Sequence, residues 1–253
     1  MNRAAAMRIT ERFASRRLSL RPPFLSPAPT LVFDRLISLG GACETAFQAR
    51  RLARSGRAYP FDWWIAPLDS VAIALDHGPA ACFAPEHLLA VADYGGAPAL
   101  YSRLSQTVHL HEFAKGEDVL ALAPDAIAAK LQPKYEALGA RLRDDCAQGA
   151  TLFLRQRLGD RDPSGAALEA ALDALMERLG RLSNDWRLLL LDYEPAAARP
   201  NLLQGQAERL RDANDLGSRK GWTALFRRLG IACRRAERRF SIEDLRASFS
   251  PRR

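Results

Sequence analysis

Along its apolar and polar positions, the chain alternates short apolar runs with stretches of helical period. Arg35 to Leu39 (RLISL) is closed by Gly40-Gly41, the pattern of a strand entering a turn. From about Ala42 to Ser55, Ala46, Ala49, Leu52 and Ala53 recur on one side, and Gly56 stops the helix they predict. Pro67 to Asp76 reads as a second helix and Glu86 to Asp93 as a short third. Gln106 to Phe113 alternates, with Val108 and Leu110 on one face and His109, His111 and Phe113 on the other. Past Pro133, Tyr135, Leu138, Leu142 and Cys146 fall at helical spacing until Gly149. Thr151 to Arg155 (TLFLR) and Trp186 to Asp192 (WRLLLLD) are buried-type strands. Between them runs a helix that Ser164 can cap, with Leu168, Leu172, Leu175 and Leu179 as its stripe. Helical stretches near 201–213 and 218–229 and a weak strand at Ile231 to Arg234 complete the pattern.

This alternation predicts an α/β fold, a central and mostly parallel sheet with helices on both faces. The strands near 35–39, 107–112, 151–155 and 187–192 are expected in that one sheet. Residues 1–30 stand apart, with six arginines against Glu11 and four prolines from Pro22 to Pro29. They read as a disordered basic tail, and 31–253 as a single α/β domain with a basic, helical C-terminal end.

At 253 residues, 48% hydrophobic and 26% charged, the chain can bury a sizeable core. No apolar run approaches the roughly 18 residues of a membrane span, and Leu188 to Leu191 is strand-sized, so no membrane span is expected. The net charge of +8 lies at the ends: +5 in residues 1–30, +8 in 218–253, and −5 between. A solvated tail and helix face account for it better than a nucleic-acid surface. Four cysteines with no C-x-x-C spacing exclude a disulfide scaffold and a structural zinc, and a reducing, cytoplasmic setting follows. Scarce Lys beside Arg, with abundant Ala and Leu, fits a GC-rich bacterial genome. Nothing in the sequence calls for a cofactor or sets an oligomeric state.

The chemistry concentrates at Ser38-Leu39-Gly40-Gly41-Ala42-Cys43, where a strand passes through two glycines to a cysteine at a helix start. Open amides and the helix dipole favour an anion there, lower a thiol's pKa and offer donors to an oxyanion. Two readings stand. Cys43 is a nucleophile, or it is a small apolar residue that packs the helix against the sheet. A nucleophilic thiol needs a base, and the four histidines lie at 77, 87, 109 and 111. His77 suits a helix C-terminus, and His87 has no evident role. His109-x-His111 has metal-ligand spacing, but no later histidine completes a site. The phosphate-binding glycine motifs, the G-x-S-x-G elbow and H-E-x-x-H are absent. Tyr59-Pro60-Phe61-Asp62-Trp63-Trp64 sets one carboxylate among four aromatics, where Asp62 can orient a histidine or hold a loop.

These residues together resemble a known family. Ile37-Ser38-Leu39-Gly40 with Cys43 and Ala46, Pro60-Phe61-Asp62-Trp63, His111-Glu112-Phe113, Lys134-Tyr135 and Phe153-Leu154-Arg155 follow its pattern. It is a bacterial family of unknown function, described as papain-like cysteine peptidases, and the resemblance covers roughly 33–195. It implies Cys43 as nucleophile and His111 as base, with Asp62 and Arg155 as further motif positions. Glu112 stands where the family usually has Asp. The resemblance also implies a second fold expectation, a divergent papain-like α+β arrangement. Two functions follow from these readings. One is a cysteine hydrolase acting on a peptide or small acyl substrate through Cys43 and His111, with Asp62 orienting the base. The other is an α/β binding or group-transfer protein that grips a phosphate or carboxylate at Gly40-Gly41 with Arg155.

Overall fold

The computed structural model describes residues 30–114 and 117–234, so the tail reading falls almost wholly outside the described residues. In chain order the elements are β1 (Leu31–Phe33), β2 (Arg35–Ser38), α1 (Cys43–Ala53), β3 (Trp64–Ile65) and α2 (Leu68–His77). Then come β4 (Leu88–Val91), β5 (Ala99–Ser102), β6 (Thr107–His109), α3 (Pro124–Cys146) and β7 (Thr151–Gln156). Last are α4 (Gly165–Leu182), β8 (Trp186–Leu191), β9 (Leu202–Gly205), α5 (Arg219–Arg228) and β10 (Ile231–Cys233).

The strongest apolar runs make one parallel sheet in the order β2-β7-β8-β9. Both of its faces are buried, which is why these strands are continuously apolar rather than alternating. Ile37, Phe153, Leu188 and Leu190 face one core, shared with Leu68 and Val71 of α2, Leu131 and Leu138 of α3, and the α4 leucines. Leu36, Leu152, Leu154, Leu189 and Leu191 face the other, shared with Ala49 and Ala53 of α1 and Trp222, Leu225 and Phe226 of α5. In α4, Leu168, Leu172, Leu175 and Leu179 are buried at 3–4-residue spacing. Each such side chain contributes about 1.5–3 kcal/mol on burial.

The sheet content corrects the sequence reading at one strand. Thr107–His109 does not join the parallel sheet; it lies in a second, antiparallel sheet of order β3-β6-β5-β4. The strand is also shorter than 107–112, because the chain bends away after His109. The stretch expected as a helix at 86–93 is β4, whose backbone groups pair with β5. The stretch near 201–213 contributes β9, which pairs with β8. The helix expected beyond Pro133 starts nine residues earlier, at Pro124, and continues through Pro133. Proline is well placed at a first helical turn and costs one hydrogen bond inside. The weak strand at 231–234 is β10, and it closes on β1.

Gly40 and Gly41 carry β2 into α1 with φ of 77° and 97°, a region open to glycine. A Cβ on Gly41 would stand 2.3 Å from the Gln156 carbonyl oxygen at the end of β7. The double glycine therefore lets the β2–α1 turn lie directly against the neighbouring strand, and this close approach sets where Cys43 begins its helix.

Candidate active site

Cys43 is the first residue of α1, and Ala42 before it supplies no side-chain cap. The amides of the first turn thus lack a side-chain acceptor and remain suited to an anion. His111 follows β6 on the loop Leu110–Phe113, outside the strand. The two meet, with Cys43 Sγ 3.3 Å from His111 Nε2. Cys43 is half-buried and His111 exposed. Burial pushes the Cys43 thiol above its ordinary value, and its own backbone amide pulls it back only in part. This direction is opposite to the lowering expected from the helix start.

The two histidines of the H-x-H pair separate. His109 is buried on β6, bonded to Thr107 Oγ1 at 2.8 Å and enclosed by Trp64, Phe83 and Tyr135. Its burial lowers its pKa to about 4. Strict alternation would put His111 on the same face as His109. The strand ends first, so the chain turns and the second imidazole swings to Cys43.

The loop that carries His111 is tied down by its neighbour. Glu112 accepts from Tyr135 Oη at 2.7 Å and pairs with Lys134 Nζ at 2.6 Å, both on α3. Tyr135 Oη in turn accepts from Trp64 Nε1 at 3.0 Å. Thus Glu112 beside His111, Lys134 and Tyr135 of α3 and Trp64 of β3 form one continuous hydrogen-bonded clamp. Sequence reading found these residues as separate motifs; nothing in their spacing shows that they touch.

Asp62 is placed differently from the expectation that it orients the base. It is buried, and its Oδ2 accepts from Arg50 at 2.5 Å and from the Tyr59 amide at 3.0 Å. Burial raises its pKa, while the Arg50 charge and the Tyr59 amide oppose the rise. Among the described residues, no carboxylate accepts from His111. Asp62 instead fixes the turn 59–62 and holds Arg50, whose guanidinium lies 5.3 Å from the Trp63 ring centroid. Trp63 presents its ring edge-on to His111 at 5.9 Å and 74°. Arg50 was not singled out in the sequence; the available signal was its position at helical spacing from Ala46 and Ala53, a charge on the buried side of α1. Trp63 was visible only as part of an aromatic cluster.

Gly40, Gly41 and Arg155 do not assemble an anion site. Both glycines are buried against backbone. Arg155 is fully buried, and its donors go to Tyr193 Oη (3.0 Å), the Leu39 carbonyl (3.2 Å) and Asp162 (2.7 Å). Burial works against its charge, but Tyr193 and Asp162 outweigh this and raise its pKa. Asp162 also accepts from the amides of Leu68 and Leu158, so this pair knots the start of α2 to the end of β7. Its burial leaves no opening for a ligand.

Among the described residues no group of three or more His, Cys, Asp or Glu side chains is disposed to hold a metal ion. No helix among them is long and apolar enough to cross a membrane. No curated protein and no solved structure matches the chain significantly. Residues 34–143, the span that carries Cys43, Asp62, His111 and Tyr135, match the model of the family described as "Putative papain-like cysteine peptidase", a domain of unknown function.

Proposed function

We propose that the chain is a cysteine hydrolase acting on an acyl substrate, peptide or small, with Cys43 as nucleophile and His111 as base. The observation that carries this reading is the 3.3 Å contact between Cys43 Sγ and His111 Nε2 at an uncapped helix start. The family match over 34–143 supports it. Cys43 Sγ attacks the carbonyl carbon as its proton passes to His111 Nε2, and the carbonyl oxygen becomes an oxyanion beside the first-turn amides of α1. The tetrahedral centre collapses, the bond to the leaving group breaks, and His111 returns the proton to that group. Water then attacks the thioester carbonyl with His111 as base, releasing the acid and restoring the thiol.

The arrangement works as a pair rather than a triad. Trp63 and the Glu112 clamp take over the positioning that a third hydrogen-bonded residue would supply. Burial raises the thiol's pKa, and His111 Nε2 at 3.3 Å is placed to take its proton during attack. A general base of this kind contributes typically 10²–10⁴-fold.

An activated ester such as p-nitrophenyl acetate tests the reading. An acetyl adduct is expected on Cys43, with nitrophenolate released in a burst, and H111A should slow acylation by about 10²-fold or more. An adduct spread over all four cysteines, or an unchanged rate in H111A, would overturn it.

A further inference from the structure

A cavity lies at the far end of α1 from Cys43, between its last turn and the start of β2. Its volume is about 240 Å³. With 1.5 Å of rise per residue, that end of α1 is about 15 Å from Cys43. Its lining includes Arg35, Arg50, Arg57, Asp34, Asp145 and Tyr59.

The partners of these groups decide what the cavity can take. Asp145 accepts from Arg57 through both oxygens, at 2.5 and 2.7 Å, and from Tyr59 at 2.8 Å. Asp34 accepts from the Ala150 amide through one oxygen at 2.7 Å and from Arg234 through the other at 2.9 Å. Both acids are therefore committed, and Arg57 is committed with them. Arg35 meets only neutral acceptors, Thr151 Oγ1 at 3.2 Å and the Gly149 carbonyl at 3.5 Å, and forms no ion pair among the described residues. Arg50 gives one nitrogen to Asp62, while its Nε is buried without a hydrogen-bond partner. The surplus is thus one positive charge, on Arg35, whose planar guanidinium suits the paired oxygens of an oxyanion, and one free donor, the Nε of Arg50, whose own charge is paired with Asp62.

We infer that this cavity is a binding site for a phosphate-type oxyanion, held by Arg35 and Arg50. Its volume lies just under the roughly 300–1,000 Å³ of drug-sized ligand sites, which favours inorganic phosphate or a small phosphate monoester over anything larger. The site shares no residue with the Cys43–His111 contact and stands or falls independently of the hydrolase reading.

Equilibrium dialysis of the full chain against radiolabelled inorganic phosphate, at constant ionic strength, tests it. Saturable binding of about one phosphate per chain is expected, weakened about tenfold or more in R35M and less in R35K, which keeps the charge but loses the fork. Phosphoserine that displaces the label at lower concentration than phosphate identifies a monoester as the preferred ligand, and weaker displacement identifies the free ion. Absence of saturable binding in the wild-type chain up to ~10 mM, a Kd worth only about 3 kcal/mol, would overturn the inference. So would acetate displacing the label as well as phosphate does, or R35M binding like wild type.

Discussion

His109 and His111 are two residues apart and do opposite things. One is sealed among Trp64, Phe83 and Tyr135, and the other is exposed at Cys43. The burial of His109 gives it a measurable signature. Its folded pKa is about 4 against an ordinary 6.5, so the unfolded chain binds its proton first as pH falls. Its cost is absent above pH 6.5 and grows as pH drops from there toward 4, reaching on the order of a few kcal/mol. Urea unfolding at pH 7 and pH 4.5 should show that loss in the wild type, and H109F should flatten it over the same window; an equal slope in both proteins would refute the assignment. At this scale the sequence carried the identities of Cys43, His111 and Asp62 but not their partners. The Asp62–Arg50 pair joins a loop to a helix twelve residues away, and no periodicity reveals it. The role of Gly40-Gly41 as a backbone passage, rather than a phosphate cradle, likewise depends on Gln156, which only the fold brings near.

Elements buried on both faces were the most legible. The runs of β2, β7 and β8 and the leucine stripe of α4 announce themselves because continuous burial leaves continuous apolar sequence. The antiparallel sheet was not legible. Its strands are two to four residues long, and β4 and β5 are held by each other rather than by pattern. Leu88-Leu89-Ala90-Val91 after Pro85-Glu86 looks locally like a helix start, and the pairing with β5 overrides that preference. The clamp between α3 and the His111 loop gives this scale its prediction. Y135F removes a donor from Glu112 and an acceptor from Trp64, both buried, and should cost about 1–3 kcal/mol. K134A removes a half-exposed lysine and leaves the buried Glu112 its bond from Tyr135, so it should cost less than Y135F. Equilibrium denaturation of the two variants checks the order; a K134A loss as large as that of Y135F would mean the clamp is electrostatic rather than hydrogen-bonded.

In the whole molecule, the parallel sheet supplies Cys43 through the β2–α1 turn, and the antiparallel sheet supplies His111 through the loop after β6. The proposed reacting pair therefore depends on both sheets at once, which no single stretch of sequence contains. The family resemblance named both residues, and the alternation of elements placed only one of them. The parallel sheet with helices on both faces fits the α/β expectation, while the second sheet departs from the idea of one sheet for all strands. The most direct test of the pairing is the pH dependence of iodoacetamide modification at each cysteine, followed by mass spectrometry in wild type and H111A. Cys82 and Cys146 are buried, and half-buried Cys233, its thiol pushed up to about 11, is the accessible control. A thiol raised by burial and acting alone should label slowly at neutral pH and faster as pH rises through its pKa. The Cys43–His111 pairing predicts that wild-type Cys43 labels faster than Cys233 at pH 7, and that H111A slows it about tenfold or more while leaving Cys233 unchanged. Cys43 labelling no faster than Cys233, or at the same rate with and without His111, would contradict it.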